Sequence, residues 1–525
     1  MKSISKATLA ATFVPWILAG AAIAACTVRG GDGSDSAESA ADREGRARIG
    51  VAAEYEVPAG QDPAALASTL SANMKARRKF AWDVARRAFN PKAIDLGADD
   101  AGNPRTAAFP IPAWLTWYEM AEIKDIFDDI VQTRTAGAPP GAPPEITTDE
   151  VTAAFARHAA RMAGSRTTRS PEMFDRPLIE APLDTQARVN HLGGTGFTLF
   201  SPEYVRHALT NYRAIANCKV GEGGLPGVLT SPAFDPAVHG TNFSSPCLAS
   251  EFPPGAVMAK AVWRQLSKRG GKTKALPVFD TGVTGVTKIF QALDTAWDVA
   301  EAGTRTPEDA DIVVQDDSAG NKWGLVAFHL STKETREWVW STYWWAPTDP
   351  SIGPNTDFGA DRDVSQIASD GLRGQLSHYK MCTVVNFEEK DDLEQRYAAE
   401  LADPTHPQHS LAEALLATHR LVNQAPGGRA DLQSTAGPST WCSDPYVETH
   451  PGNTHTNCIG CHQHSATGVG FNETFYLSDE AGWKYFPRYG TTRIRNTFPS
   501  DFSWGYEFEL KPTLSDVLSA HGVQP

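Results

Sequence analysis

Cysteine and methionine are both scarce in this chain, with seven of each among 525 residues. A basic surplus is lacking as well: 48 Lys and Arg stand against 62 Asp and Glu, for a net charge of −14. That balance argues against nucleic acid and against electrostatic adhesion to anionic lipid, and it favours a basic protein partner. Nucleotide-binding loops are missing too. Gly193-Gly194-Thr195-Gly196 lacks the third glycine of a dinucleotide fingerprint, and Gly282 to Lys288 falls two residues short of a phosphate loop. The sequence shows no Ser-centred nucleophile elbow, no His-Glu zinc helix and no internal repeat.

The N-terminus is read as an export signal. Lys2 and Lys6 precede an apolar, small-residue run from Ala7 to Ala25. A small-residue cleavage site at its end fits a signal peptide better than a membrane-spanning helix. The closing residues Ile23-Ala24-Ala25-Cys26 resemble the bacterial lipobox. The resemblance implies cleavage before Cys26 and acylation of that residue, which exceeds the two-signal threshold for stable anchoring. Thr27 follows where an aspartate would signal retention, similar to the outer-membrane pattern. From Thr27 to about Arg48 the chain is Gly, Ser, Ala, Asp and Glu with almost nothing to bury, and it reads as a tether.

The most informative stretch is Asn457-Cys458-Ile459-Gly460-Cys461-His462-Gln463-His464. Two cysteines two residues apart, followed at once by histidine, form the attachment signature of c-type haem. Each thiol adds to one vinyl group on the same edge of the porphyrin, and the next residue then lies under the iron. Cys458 and Cys461 are therefore the expected thioether residues and His462 the expected iron ligand. Two other uses of a Cys-x-x-Cys pair fit the surrounding residues less well. A thioredoxin-type disulfide needs a strand before it, whereas Thr449 to Thr454 reads as loop. A structural zinc site wants a second ligand pair, and no second Cys-x-x-Cys exists.

With Cys26 given to lipid and Cys458 and Cys461 to haem, four cysteines remain in an oxidising compartment, which suggests up to two disulfides. The sequence-local pairing is Cys218–Cys247 and Cys382–Cys442, one of three pairings that four cysteines allow. No methionine follows His462, so the usual loop-borne sulfur is lacking as a sixth iron ligand. His464 is too near, since two residues span at most about 7 Å. His450, His455, His329, His378, Met258 and Met381 remain as candidates. The iron is expected to be bis-histidine or five-coordinate.

The element pattern predicts an α+β chain. After the signal peptide (1–25) and tether (26–50) comes a mainly helical region (51–165), a mixed region with a central sheet (166–390) and a loop-rich C-terminal region (391–525) that carries one covalent haem. Leu66, Leu70, Met74, Ala81, Val84 and Ala88 recur at helical period after an Asp62 cap, with Lys75, Arg77, Arg78, Arg86 and Arg87 expected on a solvated face. Ile111 to Met120 reads as an aromatic loop that inserts into the core and starts a helix. Thr147 to Glu150 is a capping box for a helix whose stripe is Val151, Phe155, His158 and Met162, with His158 read as a core histidine. Ser410 to Glu413 is a second capping box. Gly255 to Trp263, Trp323 to Ser331, Glu337 to Trp345 and Tyr379 to Phe387 read as strands, the middle two as a hairpin. Trp338, Trp340 and Trp344 fall on one side of that hairpin and Tyr343 and Trp345 on the other, so both sides should be covered. Phe471 to Phe508 is aromatic-rich, and Thr513 to His521 reads as a closing helix.

Cys458 to His462 resembles the c-type cytochromes, and only there. A small helical cytochrome carries the motif near its start with a methionine behind it, unlike this chain. Over a longer span the chain is similar to large exported bacterial monohaem proteins, in Trp114 to Tyr118, in Phe328-His329 with Trp338 to Trp340, and in Ser500 to Ser503. That resemblance brings no assigned reaction. The expectation is a lipid-anchored monohaem cytochrome passing electrons outside the cytoplasm, at the outer membrane, cell surface or periplasm. The alternatives are a haem enzyme with an open iron position and a binding or sensory lipoprotein with structural haem.

Overall fold

The computed structural model describes residues 52–92, 95–98, 104–106, 111–136, 145–161, 198–218, 250–277, 304–316, 320–347, 370–385, 398–406, 458–462, 501–503 and 510–523, together with 248, 409, 442, 444, 446, 447, 465 and 505. The chain divides into two units, 1–45 and 46–525. The first unit lies outside the described residues, and so do Met162, Cys247, His450, His455, the Ser410 capping box and most of the Phe471–Phe508 stretch. The second unit combines helices with an antiparallel sheet, an α+β arrangement.

Helix α1 (Pro63–Ala72) opens on Asp62, whose carboxylate accepts from Ala64 N at 2.9 Å, with Pro63 in the first turn. The single helix read from the periodicity is in fact two. Asn73 ends α1 and caps α2 (Met74–Phe89), its side chain accepting from Ala76 N at 3.0 Å. An asparagine side chain competes with the helical ladder, and here it wins. The expected solvated face is also wrong in part. Arg77, Arg78 and Arg87 are buried, because α2 lies against the sheet rather than on the surface.

A 3-10 turn (Ala113–Thr116) buries Trp114, Trp117 and Tyr118 ahead of α3 (Met120–Thr135), as the aromatic loop suggested. The Thr147–Glu150 box forms reciprocally and starts α4 (Thr148–Arg161), where His158 is buried 3.7 Å from Glu122. After β1 (Thr198–Phe200) come α5 (Pro202–Thr210) and α6 (Tyr212–Ala216). The long strand β2 (Val257–Ser267) follows, then the short β3 (Val314–Asp316). Strands β4 (Lys322–Thr332) and β5 (Val339–Trp345) form the expected hairpin. Helix α7 (Asp370–Leu376) leads into β6 (Tyr379–Val384). Short helices α8 (Ala398–Ala402) and α9 (Cys458–His462) precede the closing α10 (Lys511–Ala520).

The sheet runs β6-β5-β4-β2-β1, with β3 extending the β5 side of β4, and every pairing is antiparallel. Because residues directly opposite share a face, the register sorts the side chains into two sets. One face carries Ala261, Phe328, Tyr343 and Met381 in a row. Helix α2 packs on it: Phe328 stacks on Tyr343 at 4.4 Å, Phe89 lies 5.0 Å from Phe328, and Trp82 meets Tyr343 edge-on at 5.1 Å. The Tyr343 hydroxyl donates to the Ala81 carbonyl.

The turn between β4 and β5 is buried apart from Arg336. Lys333, Glu334, Thr335 and Glu337 are each 6% exposed or less. Glu334 reaches to the helices, accepting from Arg87 at 2.9 and 3.0 Å, from Tyr55 at 2.8 Å and from Gln61 at 2.9 Å. Its neighbour Lys333 reaches to the other side of the molecule, where the candidate site lies.

Candidate functional site

The second sheet face carries Thr198, Lys260, His329, Thr342 and Cys382 in one row, and Phe200, Met258, Ser331, Trp340 and Val384 in the next. Three separate segments lie against it. Two are bonded to the sheet, and the third, the Cys458–His462 turn, is held by contacts to those two and to Trp340.

The first segment is 442–447. Cys442 is disulfide-bonded to Cys382 of β6, one of the two expected pairs. Asp444, fully buried, accepts from Thr342 Oγ1 of β5 at 2.6 Å and from the backbone N–H groups of Tyr446 and Val447. Cys218 is also disulfide-bonded.

The second segment is 501–503. Asp501 and Phe502 both have positive φ, 48° and 68°, although neither is glycine. Such residues cost on the order of 1–3 kcal/mol each, and surroundings must over-determine them. Here they do. The buried Asp501 carboxylate accepts from Lys333 Nζ at 2.6 Å, from Phe252 N at 3.0 Å and from Trp338 Nε1 at 3.4 Å. Ser503 Oγ pairs with the Tyr204 hydroxyl at 2.7 Å and lies 3.6 Å from Met258 Sδ.

What this arrangement presents is the Phe502 carbonyl, which accepts a hydrogen bond from His462 Nδ1 at 2.9 Å. A carbonyl only accepts, so Nδ1 must carry the proton. Burial pushes the His462 pKa down to about 4; the Phe502 bond opposes this and the Lys260 charge adds to it. The ring is therefore neutral near pH 7, with its lone pair on Nε2. A backbone carbonyl on the second nitrogen is the usual device that orients a metal-ligating histidine and fixes its tautomer. The Trp340 ring flanks the imidazole at 4.1 Å between centroids.

The third segment is the turn itself. Helix α9 spans Cys458 to His462, so Cys461 and His462 come three and four positions after Cys458 in one helical turn. Cys458 is reduced and buried, and its sulfur lies 3.9 Å from that of Cys442.

The other expected residues divide cleanly. His329 and Met258 share the sheet face under His462, whereas Met381 lies on the opposite face beside Tyr343. Burial holds His329 well below the ordinary histidine pKa, with Lys260 and His462 adding to the effect, and its Nε2 stands 4.0 Å from Asp444. His378 sits at the entry to β6, where its carbonyl accepts from Ala346 N. No local pattern in the sequence gives Asp444, Asp501, Ser503 or Lys333 a role, and the Ser500–Ser503 run carries only a resemblance.

Among the described residues no group of three or more His, Cys, Asp or Glu could hold a metal ion by itself, and no helix is long and apolar enough to cross a membrane. No family model, curated protein or solved structure matches the chain.

Proposed function

We propose that this chain is a monohaem c-type electron carrier, attached through Cys458 and Cys461 with His462 as the proximal iron ligand. The hydrogen bond from His462 Nδ1 to the Phe502 carbonyl carries the reading. It leaves a neutral imidazole whose Nε2 lone pair can take iron, on the residue that the attachment motif singles out. The donor set also fits at Cys458, which is in no disulfide, as a thioether link requires. The bound group would supply a one-electron couple. The chain's own residues would hold its ligand: Lys333 and Asp501 fix the backbone at 501–502, and the Phe502 carbonyl keeps the imidazole from turning. Trp340 restricts the ring from the side.

The test is extraction. Exported protein made with a cytochrome c maturation system should retain haem on the polypeptide after denaturation and acid–acetone treatment. Haem-free protein, or haem lost to the solvent phase, refutes the proposal. The lipid anchor at Cys26 belongs to the same proposal and is checked separately. The mature chain should partition into detergent, and Cys26→Ser should abolish that partitioning.

A further inference from the structure

We propose that Lys333 and Asp501 become covalently joined: the folded chain closes an isopeptide bond from Lys333 Nζ to Asp501 Cγ, with Glu251 as the proton carrier. Three oxygens meet the ammonium group. Nζ lies 2.6 Å from Asp501 Oδ1, 2.6 Å from the Arg336 carbonyl and 3.2 Å from Glu251 Oε2. An ammonium has three hydrogens, and each has a destination here. Cγ is one bond of about 1.23 Å beyond Oδ1, so it stands within about 3.8 Å of Nζ, close to attack distance. Lys333 is 3% exposed and Asp501 is fully buried, which keeps the reacting pair out of bulk water.

The two oxygens of Asp501 are distinguished by their donors. Oδ2 accepts from the Phe252 N–H at 3.0 Å, which places a donor where the oxyanion of a tetrahedral intermediate develops. Oδ1 accepts from Lys333 and, at 3.4 Å, from Trp338 Nε1. Oδ1 is therefore the oxygen that leaves.

The step balances. One proton passes from Nζ to Oδ1, so that a neutral amine faces a carboxylic acid. The amine lone pair attacks Cγ, and a second proton moves from the nitrogen to Glu251 and on to Oδ1. The Cγ–Oδ1 bond breaks, and Oδ1 departs as water with both protons. The third hydrogen stays on the new amide nitrogen and keeps its bond to the Arg336 carbonyl. The pair is neutral in sum before and after, Glu251 ends as it began, and nothing is oxidised or reduced. Fixed positioning is worth an effective concentration of up to about 10⁵–10⁸ M, which lets an unactivated acid react. The ion pair is the state of the newly folded chain, and the amide follows from it. The bond ties the β4–β5 turn to the segment that presents the Phe502 carbonyl, and it forms whether or not haem is attached.

The experiment is peptide mapping by mass spectrometry of the exported full chain, kept folded at neutral pH. A branched peptide should carry Lys333 and Asp501 with one water less than its two arms, and trypsin should not cut after Lys333. Linear peptides alone from the folded wild type overturn the proposal. So does a lost water confined to the Asp501 peptide, which marks cyclisation onto its own backbone. Glu251→Gln keeps the size of the side chain and removes the proton carrier, so the branched peptide should form at least tenfold more slowly. Formation at the wild-type rate in E251Q overturns the role given to Glu251. The wild-type map decides the bond itself without any variant.

Discussion

The two faces of the central sheet are built from alternate residues of the same strands, yet different forces hold their neighbours. On the helix side, Phe328, Tyr343, Phe89 and Trp82 form a continuous aromatic contact, with one directed bond from Tyr343 to Ala81. On the other side, Thr342, Cys382 and Met258 each make one specific attachment to a passing loop. Area burial tolerates small shifts, because it is non-directional. Hydrogen bonds, ion pairs and a disulfide do not, and they can hold an imidazole at one angle. The comparison places stability on one face and positioning on the other.

The sharpest way to break it is to remove Phe328. Phe328→Ala should cost about 4 kcal/mol of unfolding free energy, read by urea titration, because the ring is 2% exposed and fully packed. The folded remainder should keep the His462 tautomer, seen as an unchanged imidazole 15N shift. A changed tautomer would show that the faces are not separable.

Asp501→Ala should act in the opposite sense. It removes the carboxylate from the buried Lys333, which still has Glu251 at 3.2 Å, so the cost should sit near the lower end for a broken buried pair, about 3 kcal/mol. In addition it frees the strained Phe502 backbone, and His462 should lose its fixed Nδ1 proton. Retention of the tautomer would mean that the Phe502 carbonyl is held by other contacts.

Thr342→Val keeps the shape of the strand and deletes one donor to buried Asp444. It should cost about 1–2 kcal/mol, since the carboxylate keeps its two backbone donors. Disulfide mapping should remain as in the wild type. A larger loss than that of Phe328→Ala would invert the comparison.

The smallest effect is a pH dependence of the haem-free chain. Burial lowers the pKa of His329 on the loop-side face and brings those of His207 on α5 and of His462 down to about 4. All three residues bind fewer protons folded than unfolded below the ordinary histidine value. Their contribution is therefore complete above about pH 6.5 and is lost as the pH falls. Each should cost about 0.8 kcal/mol at pH 6. His329→Gln should remove one of the three shares and leave the other two, read as urea midpoints against pH.

Local patterns were legible in the sequence, and remote partners were not. The alternation in Trp323 to Ser331 located β4, the Thr147–Glu150 box located the start of α4, and Cys458 to His462 supplies the motif on which the proposed function rests. Each of those signals is complete within a dozen residues. Asn73 was missed because its side chain interrupts a hydrophobic period that continues past it. Arg87 was placed in solvent because its partner, Glu334, is 247 positions away. Asp501 lies 168 positions from Lys333, and nothing near it in the chain announces an ion pair. Alternation did sort β4 and β5 into faces, but only the register with β2 and β6 shows that His329, Met258 and Cys382 share one of them.

A hairpin turn is ordinarily where a protein frays, and the one between β4 and β5 is built the other way round. Lys333 is tied to Asp501 on one side and Glu334 to Arg87, Tyr55 and Gln61 on the other, so two adjacent residues join both halves of the molecule. Opening it locally would expose two buried charges at once, a cost comparable to that of global unfolding. The Lys333 amide bonds to the Ala256 carbonyl and the Trp338 amide to that of Thr335. Those two amides should therefore exchange with deuterium as slowly as the centre of the sheet, and in step with it. The slowest clock in the protein would then sit in a turn.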